Sequence, residues 1–448
     1  MVKIIRKLFQ RMTPQRGILL YYLVALIVST AVLSLPFVYN NETTFINRLF
    51  IASSALSVTG LSPVDIAHTY NLGGYIILML IMNIGGVGIM TMSTIIWIVL
   101  GYRVGLKERI QIMVDNNQDK FSGAVKLVID IITLIFIVEI AGAVIYFIYF
   151  MSNSGDISYS LLHGIFLSVS ATTNGGMDLF SSSMIQYDHE FLLQVPVMLQ
   201  IFLGSIGYPV LIEVKTYFSK RHKNFRFSLY TKVATSMYGI LFAGGTLMIF
   251  LSEWQEHFRE GVFHALMNSM FLSVTTRSGG LTTVDIDSLN EATQLMMSAL
   301  MFVGASPSSA GGGIRTTTFA ILILFVISFS RGRQSIHVFH KQLVREDVEK
   351  AFAVISLALF LVFTGVVSIV YIEGVKFSVI DVIFEITSAF GTAGISTGIT
   401  GDLSVLSKLI IIVFMFIGKI GFISFLLSMG GRQHKYSYEL PKERLMVG

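Results

Sequence analysis

Four short segments of the chain combine glycine with hydroxyl, amide or small side chains: Val58-Thr59-Gly60-Leu61, Thr173-Asn174-Gly175-Gly176, Arg277-Ser278-Gly279-Gly280 and Thr392-Ala393-Gly394-Ile395. Glycine has no Cβ, so a strand built around it can turn through positive φ and aim its carbonyl oxygens to one side. Four such strands around one axis can replace the hydration shell of a monovalent cation with carbonyl oxygens. Aligned on their shared glycine, Gly60, Gly175, Gly279 and Gly394 take the central position, and their carbonyls are the expected ligands of the ion. One such tetrapeptide is an ordinary turn. The information lies in its recurrence, four times, at matching places in a repeated unit.

The elements that position these segments repeat as well. Each segment is preceded by a short helix-like run that begins at Phe50, Phe166, Phe271 or Phe384, and each run lies between two long apolar stretches. Those stretches are 18–38, 72–100, 127–150, 191–214, 230–251, 352–370 and 406–429, with an eighth, 295–329, that is interrupted. The unit is therefore span, re-entrant helix, glycine strand, span. It divides the chain into 1–17, a first unit at 18–100, a second at 127–214, a third at 230–329, a fourth at 350–429 and a tail at 430–448. Internal repetition of this kind defines the architecture. The expected fold class is an all-α integral membrane protein with four parallel helix–pore-loop–helix repeats around a central pore, in pseudo-four-fold symmetry. Non-helical backbone at membrane depth is stable only against protein or water, which such a pore supplies. The C-terminal dipole ends of the short helices favour a cation. The second spans carry small residues at matching places, Gly85, Gly86 and Gly88, Gly204 and Gly207, Gly304, and Gly418 and Gly421, as close helix packing requires.

The interruption in the third unit reads Gly304-Ala305-Ser306-Pro307-Ser308-Ser309-Ala310-Gly311-Gly312-Gly313. Pro307 removes a helical hydrogen bond and three successive glycines disfavour a continuous helix. It reads either as a plain connection between two half-helices or as a gating loop beneath the filter. It is not a phosphate loop, because no Gly-Lys-Ser/Thr ending follows and both flanks are apolar helices. Two charges belong to the spans: Arg315 follows the loop, and Lys419 lies in the last span. Either is costly in lipid and is expected to face a pore or a partner. For Lys419 two readings stand, a fixed positive charge that limits cation flux or a partner for Glu139 or Glu213. Arg277 is expected either to buttress its strand from behind or to repel at the mouth. Asp65, Asp178 and Asp285 follow three of the strands, where they concentrate cations at the outer mouth or are solvated surface acids.

Composition sets the class. Of 448 residues, 53% are hydrophobic and only 13% charged, and the mean hydropathy is +0.72. That much apolar surface needs a bilayer. Basic residues crowd the N-terminal segment, the connections 101–126, 215–232 and 331–350, and the tail, and nearly vanish from the alternate connections. The positive-inside rule then places both termini in the cytoplasm and the four glycine segments on the outer side. The net charge of +5 reflects this asymmetry, not nucleic acid binding. There is no cysteine, which excludes disulfides and thiolate chemistry, and the nine histidines show no metal-ligand spacing. No acid–base or metal constellation of an enzyme appears in the spans. An alternating-access, cation-coupled transporter is the competing reading, but its inverted repeats do not match units that all start on the same side.

At these residues the sequence resembles the KtrB-type membrane subunit of bacterial Ktr systems, within the Trk/Ktr/HKT superfamily of potassium transporters. The resemblance covers residues 15–430 and rests on the four units, their glycines and the broken span 304–313. It implies potassium uptake across the bacterial plasma membrane, with Gly60, Gly175, Gly279 and Gly394 as filter glycines and 304–313 as an intramembrane gate. Lys419 falls where relatives place a positive charge near the pore. It also implies a homodimer with one pore per protomer, seated on a cytoplasmic octamer of regulatory subunits that carry RCK domains and bind ATP or ADP. No nucleotide is expected on this chain itself. Sodium is implied as an activator, although no residue here marks its site. The basic connections and the tail 430–448 are the expected docking surfaces.

Overall fold

The computed structural model describes residues 14–88, 91, 110, 124–219, 225–254, 261–333 and 335–421. The basic residues Lys3, Arg6, Lys7 and Arg11, most of the 101–126 connection and the tail 430–448 lie outside the described residues, as do the ends of the expected spans 72–100 and 406–429.

Among the described residues the regular structure is helical apart from one small hairpin and two isolated bridges. The first unit contains α1 (Pro14–Leu33), α2 (Phe45–Ser57) and α3 (Leu72–Val87); the second contains α4 (Ala124–Ser154), α5 (Ile157–Thr173), α6 (Phe191–Ser205) and α7 (Tyr208–Ser219). The third contains α8 (Leu229–Glu253), α9 (Val262–Thr275), α10 (Glu291–Phe302) and α11 (Thr316–Ser330); the fourth contains α12 (Arg345–Glu373), α13 (Val379–Gly391) and α14 (Val405–Ile420). The hairpin pairs His337–Val338 with Lys341–Gln342 between the third and fourth units.

Helices α1, α4, α8 and α12 are each long and apolar enough to cross a bilayer, and α6 with α7 makes a fifth such element if the bent pair is one span. These helices expose large apolar side chains, among them Ile27, Ile137, Ile240, Phe360 and Phe363. In water such a surface would drive aggregation; in lipid it is the solvent-facing surface. The core lies inside, around the short helices. The C-terminal halves of α2, α5, α9 and α13 are buried on every face. A helix buried all round belongs in an interior; some hydroxyls of these helices return to their own backbone, as Thr173 does to Val169 O and Thr387 to Ile383 O, while Ser168 and Ser273 donate to Glu139 O and Phe242 O of the neighbouring long helices. Three of the four start at a side-chain cap, Thr44, Asp156 or Ser378, the last in a capping box with Asp381.

The second-span glycines let these helices pack at backbone contact. A Cβ on Gly86 would sit 2.7 Å from Thr173 Cβ, one on Gly204 2.5 Å from Thr172 O, and one on Gly418 2.9 Å from Phe390 C. Each touches the C-terminal turn of a short helix, so the second spans fix the height of the segments that follow. The second unit departs from expectation here. The stretch 191–214 reads as one span, but the chain bends by 103° between α6 and α7. Gly207, at φ 102°, makes the bend. The cause lies in the third unit: Ser306 N–H donates to Ser205 O at 3.0 Å and Tyr208 N–H to Ser308 O at 2.8 Å, so the interrupted loop occupies the space a straight helix would fill.

Candidate functional site

Three of the four short helices end in the same way, and the third unit reaches the same conformation two residues beyond its cap. Val58, Asn174 and Thr392 cap α2, α5 and α13 in the left-handed region, at φ 58°, 59° and 47°. In the third unit Ser278 takes this conformation at φ 67°. β-branched residues such as Val58 and Thr392 adopt it only where the surroundings impose it. Here Thr59, Gly175 and Ala393 N–H return to Ser54, Ser170 and Ser388 O at 2.8, 2.6 and 2.8 Å, which locks the turn. Two residues after each left-handed residue comes a glycine with positive φ: Gly60 (101°), Gly176 (64°), Gly280 (73°) and Gly394 (85°).

This register differs from the sequence alignment in two units. The sequence pattern matches Gly175 and Gly279 to Gly60 and Gly394; by backbone conformation the equivalents are Gly176 and Gly280. The first glycine of each pair turns outward. A Cβ on Gly175 would meet the Met82 side chain, and one on Gly279 would meet Thr275 and Ile201. The second glycine faces its counterparts. A Cβ on Gly60 would lie 2.9 Å from Gly176 Cα, one on Gly176 2.7 Å from Gly280 Cα, and one on Gly394 3.0 Å from Gly280 Cα. The four units meet at this point, where only glycine fits. Carbonyls of the preceding residues surround it: Gly175 O is 3.0 Å from the Gly60 Cβ position, Thr59 O 3.3 Å from that of Gly176, and Ala393 O 3.2 Å from that of Gly280. The signal that sets the register was in the sequence. Each inward glycine is followed by a buried apolar residue, Leu61, Met177, Leu281 or Ile395.

On one side of the junction opens a cavity of about 390 Å³, lined by Gly60, Gly176, Gly280, Gly394, Asp65 and Asp178, among others. Asp285 is exposed and is not among its lining residues. Burial in the cavity wall pushes the Asp178 carboxyl up to about 6; the Asp65 charge adds to the rise, while the Phe180 N–H and the Ser183 hydroxyl oppose it. Asp178 is therefore charged above about pH 6 and neutral below it. The half-saturating concentration of external cation should rise severalfold as external pH falls from 7.5 to 5, and Asp178→Asn should show a flat, high value across that range. Uptake titrations at fixed pH check this.

On the other side lies the segment 304–313. Gly312 N–H donates to Thr392 Oγ1 at 2.7 Å, and the Ser278 hydroxyl to Gly391 O at 3.0 Å, so the loop and two of the left-handed residues share one network. Gly313 N–H donates to Gly418 O at 3.2 Å and Ala310 N–H to Gly204 O at 3.0 Å. The Tyr230 hydroxyl donates to Pro307 O at 2.5 Å. Both span charges belong to this loop: Lys419 Nζ donates to Ala310 O, and Arg315 Nη1 donates to Gly311 O. Lys419 thus binds a backbone carbonyl, a partner beyond the two sequence readings of a fixed charge or a pair with Glu139 or Glu213. Glu213 instead accepts from Ser228 N–H at 3.0 Å. Arg277 does not reach the mouth. It is fully buried behind its strand, its guanidinium 5.0 Å from the Tyr238 ring centre and its Nη2 3.4 Å from Ser273 Oγ. A cation held over an aromatic face is stabilised there without a counter-ion.

Four re-entrant helices, a four-glycine junction and apolar outer helices define a membrane protein of the cation-transport class. Residues 9–435 match the TrkH family of cation transport proteins, and the chain belongs to that family. It is 44% identical to the Ktr system potassium uptake protein D of Bacillus subtilis over 99% of both chains. It is 32% identical to the Ktr system potassium uptake protein B of the same organism over 93% of both. The potassium/sodium uptake protein NtpJ of Enterococcus hirae is 29% identical over 99% of both. The fold is similar to the crystal structure of the potassium transporter TrkH from Vibrio parahaemolyticus, with a TM-score of 0.74 at 16% identity, over 94% of this chain and 86% of that one.

Proposed function

We propose that this chain is the membrane subunit of a Ktr-type potassium uptake system and conducts potassium through a filter made of the four glycine segments. The observation that carries this reading is the convergence of Gly60, Gly176, Gly280 and Gly394 from four units on one point, flanked by carbonyls and opening into a cavity with two carboxylates. Potassium enters at the outer mouth, exchanges water for carbonyl oxygens at the glycines, and meets the loop 304–313 as the last barrier. An inside-negative membrane potential supplies about 2.3 kcal/mol per 100 mV for each charge moved. In this mechanism no bond of the ion or protein is made or broken covalently. The chain acts as a homodimer on a cytoplasmic octamer of RCK-domain subunits that respond to ATP or ADP, with sodium as an activator. The word "system" in the names of two relatives, and the name of a third as a potassium/sodium uptake protein, support a multi-component, sodium-linked assembly.

The test is reversal potential in proteoliposomes under opposed potassium and sodium gradients. A channel-like pore gives a potential that follows the potassium gradient alone. A potential that moves with a second ion in fixed stoichiometry would overturn the pore in favour of coupled alternating access.

A further inference from the structure

Histidine spacing in the sequence showed no metal-ligand pattern, yet the structure brings His189 and His264 together from different units, with Asp188 between them. Asp188 Oδ2 lies 3.6 Å from His189 Nε2 and 3.5 Å from His264 Nε2. One ligand atom from each residue falls within 4.8 Å of the other two. The imidazoles stack with centroids 4.2 Å apart and planes inclined by 19°. We propose that Asp188, His189 and His264 form a binding site for a borderline divalent transition-metal ion of the zinc class, on the face of the protein that carries the filter mouth.

The geometry suits that ion. Zinc binds imidazole nitrogen and carboxylate oxygen at about 2.0–2.2 Å, so neighbouring ligands of a tetrahedral site stand about 3.3 Å apart. The two Asp188 distances are within a few tenths of an ångström of that spacing. As they stand, the stacked rings do not both aim a lone pair at one ion, so binding requires the exposed His189 ring to rotate out of the stack. Two imidazoles and one carboxylate leave a fourth position for water. Magnesium and calcium favour oxygen ligands and are poorly served by this set.

The rest of the site is held before any ion arrives. Gln194 Nε2 donates to Tyr187 O at 2.9 Å and Asp188 O at 2.6 Å, which fixes the backbone of Asp188 and His189 at the start of α6. His264 stands in the first turn of α9, the short helix of the third unit. Its Nε2 lies 2.9 Å from Asn268 Nδ2, and Asn268 Oδ1 accepts from Thr283 Oγ1 at 2.7 Å. Thr283 is three residues beyond Gly280. An ion at His264 Nε2 displaces the Asn268 amide and disturbs the anchor of the third glycine segment, while bridging the second unit to the third. Binding itself does not rest on the transport reading.

Isothermal titration of tag-free full-length protein in detergent with zinc chloride tests the site. The expected result is one zinc per chain with micromolar affinity, weakened more than tenfold in His189→Ala and in His264→Gln, with no competition from millimolar magnesium. Because His189 is exposed, its variant keeps the fold and decides the matter. Absence of saturable binding up to 100-fold above micromolar zinc, or wild-type affinity in His189→Ala, would overturn the proposal. External zinc should also lower uptake in the wild type and spare His189→Ala; equal inhibition of both would overturn the link to the third glycine segment.

Discussion

Gly176→Ala should abolish potassium selectivity, whereas Gly175→Ala should leave it nearly intact. The two glycines are adjacent, and the substitution adds the same methyl group. At Gly176 the backbone sits at φ 64° and the new Cβ would lie 2.7 Å from Gly280 Cα, against backbone of another unit. Backbone cannot withdraw as a side chain can, so two strands move apart and the carbonyl cage widens. The left-handed conformation adds about 1 kcal/mol of strain. At Gly175 φ is not positive, and the first atom met is the sulfur of Met82, the end of an unbranched side chain with several rotamers. Measured at matched membrane expression in cells that lack other potassium uptake, Gly176→Ala should lose more than tenfold in uptake at limiting potassium and gain sodium permeation. Gly175→Ala should stay within about threefold of wild type. The reverse order would return the filter to the register in which Gly175 and Gly279 are central.

That contrast also shows what the sequence makes legible. The four units and their short helices could be read directly, because apolar length and the Phe-to-Gly runs are local properties of the chain. The register could not be read from glycine alone, since Gly175-Gly176 and Gly279-Gly280 each offer two choices. The apolar residue that follows, Met177 or Leu281, resolves them because it must fill the core on the far side of the turn. The bend at Gly207 was hidden for a different reason. Its cause is the backbone of Ser306 and Ser308 in another unit, and backbone partners leave no residue-type signature. The same holds for the bond from Lys419 to the Ala310 carbonyl, a backbone partner that residue types do not reveal. The Asp188–His189–His264 group escaped because its members belong to different units, and spacing rules see only ligands on one element. Symmetry between units is thus visible in sequence, and contacts between units are not.

Lys419→Met should raise potassium flux through the isolated chain roughly tenfold. Lys419 closes α14 and ties it to the loop at Ala310 O, while Gly313 N–H ties the loop to Gly418 O in the same turn. A hydrogen bond from a charged donor contributes about 1.5–3 kcal/mol. Its loss shifts the balance between the seated and displaced loop by a factor of ten or more. The charge acts in the same direction, because an ammonium group beneath the four-glycine junction repels an incoming cation. The two effects separate in Lys419→Gln, which keeps a donor and removes the charge. If the tether dominates, Lys419→Gln should stay near wild type; if the charge dominates, it should match Lys419→Met. Arg315 makes this comparison fair, since its bond to Gly311 O remains in both variants and keeps the rest of the loop in place. The measurement is potassium flux into proteoliposomes containing this chain alone, so that no cytoplasmic partner contributes to opening. Wild-type flux in Lys419→Met would mean that the loop is seated by its backbone bonds to Gly204, Ser205 and Gly418 without help from the lysine. The opening force would then have to act through α10 and α11, the two half-helices that carry the loop.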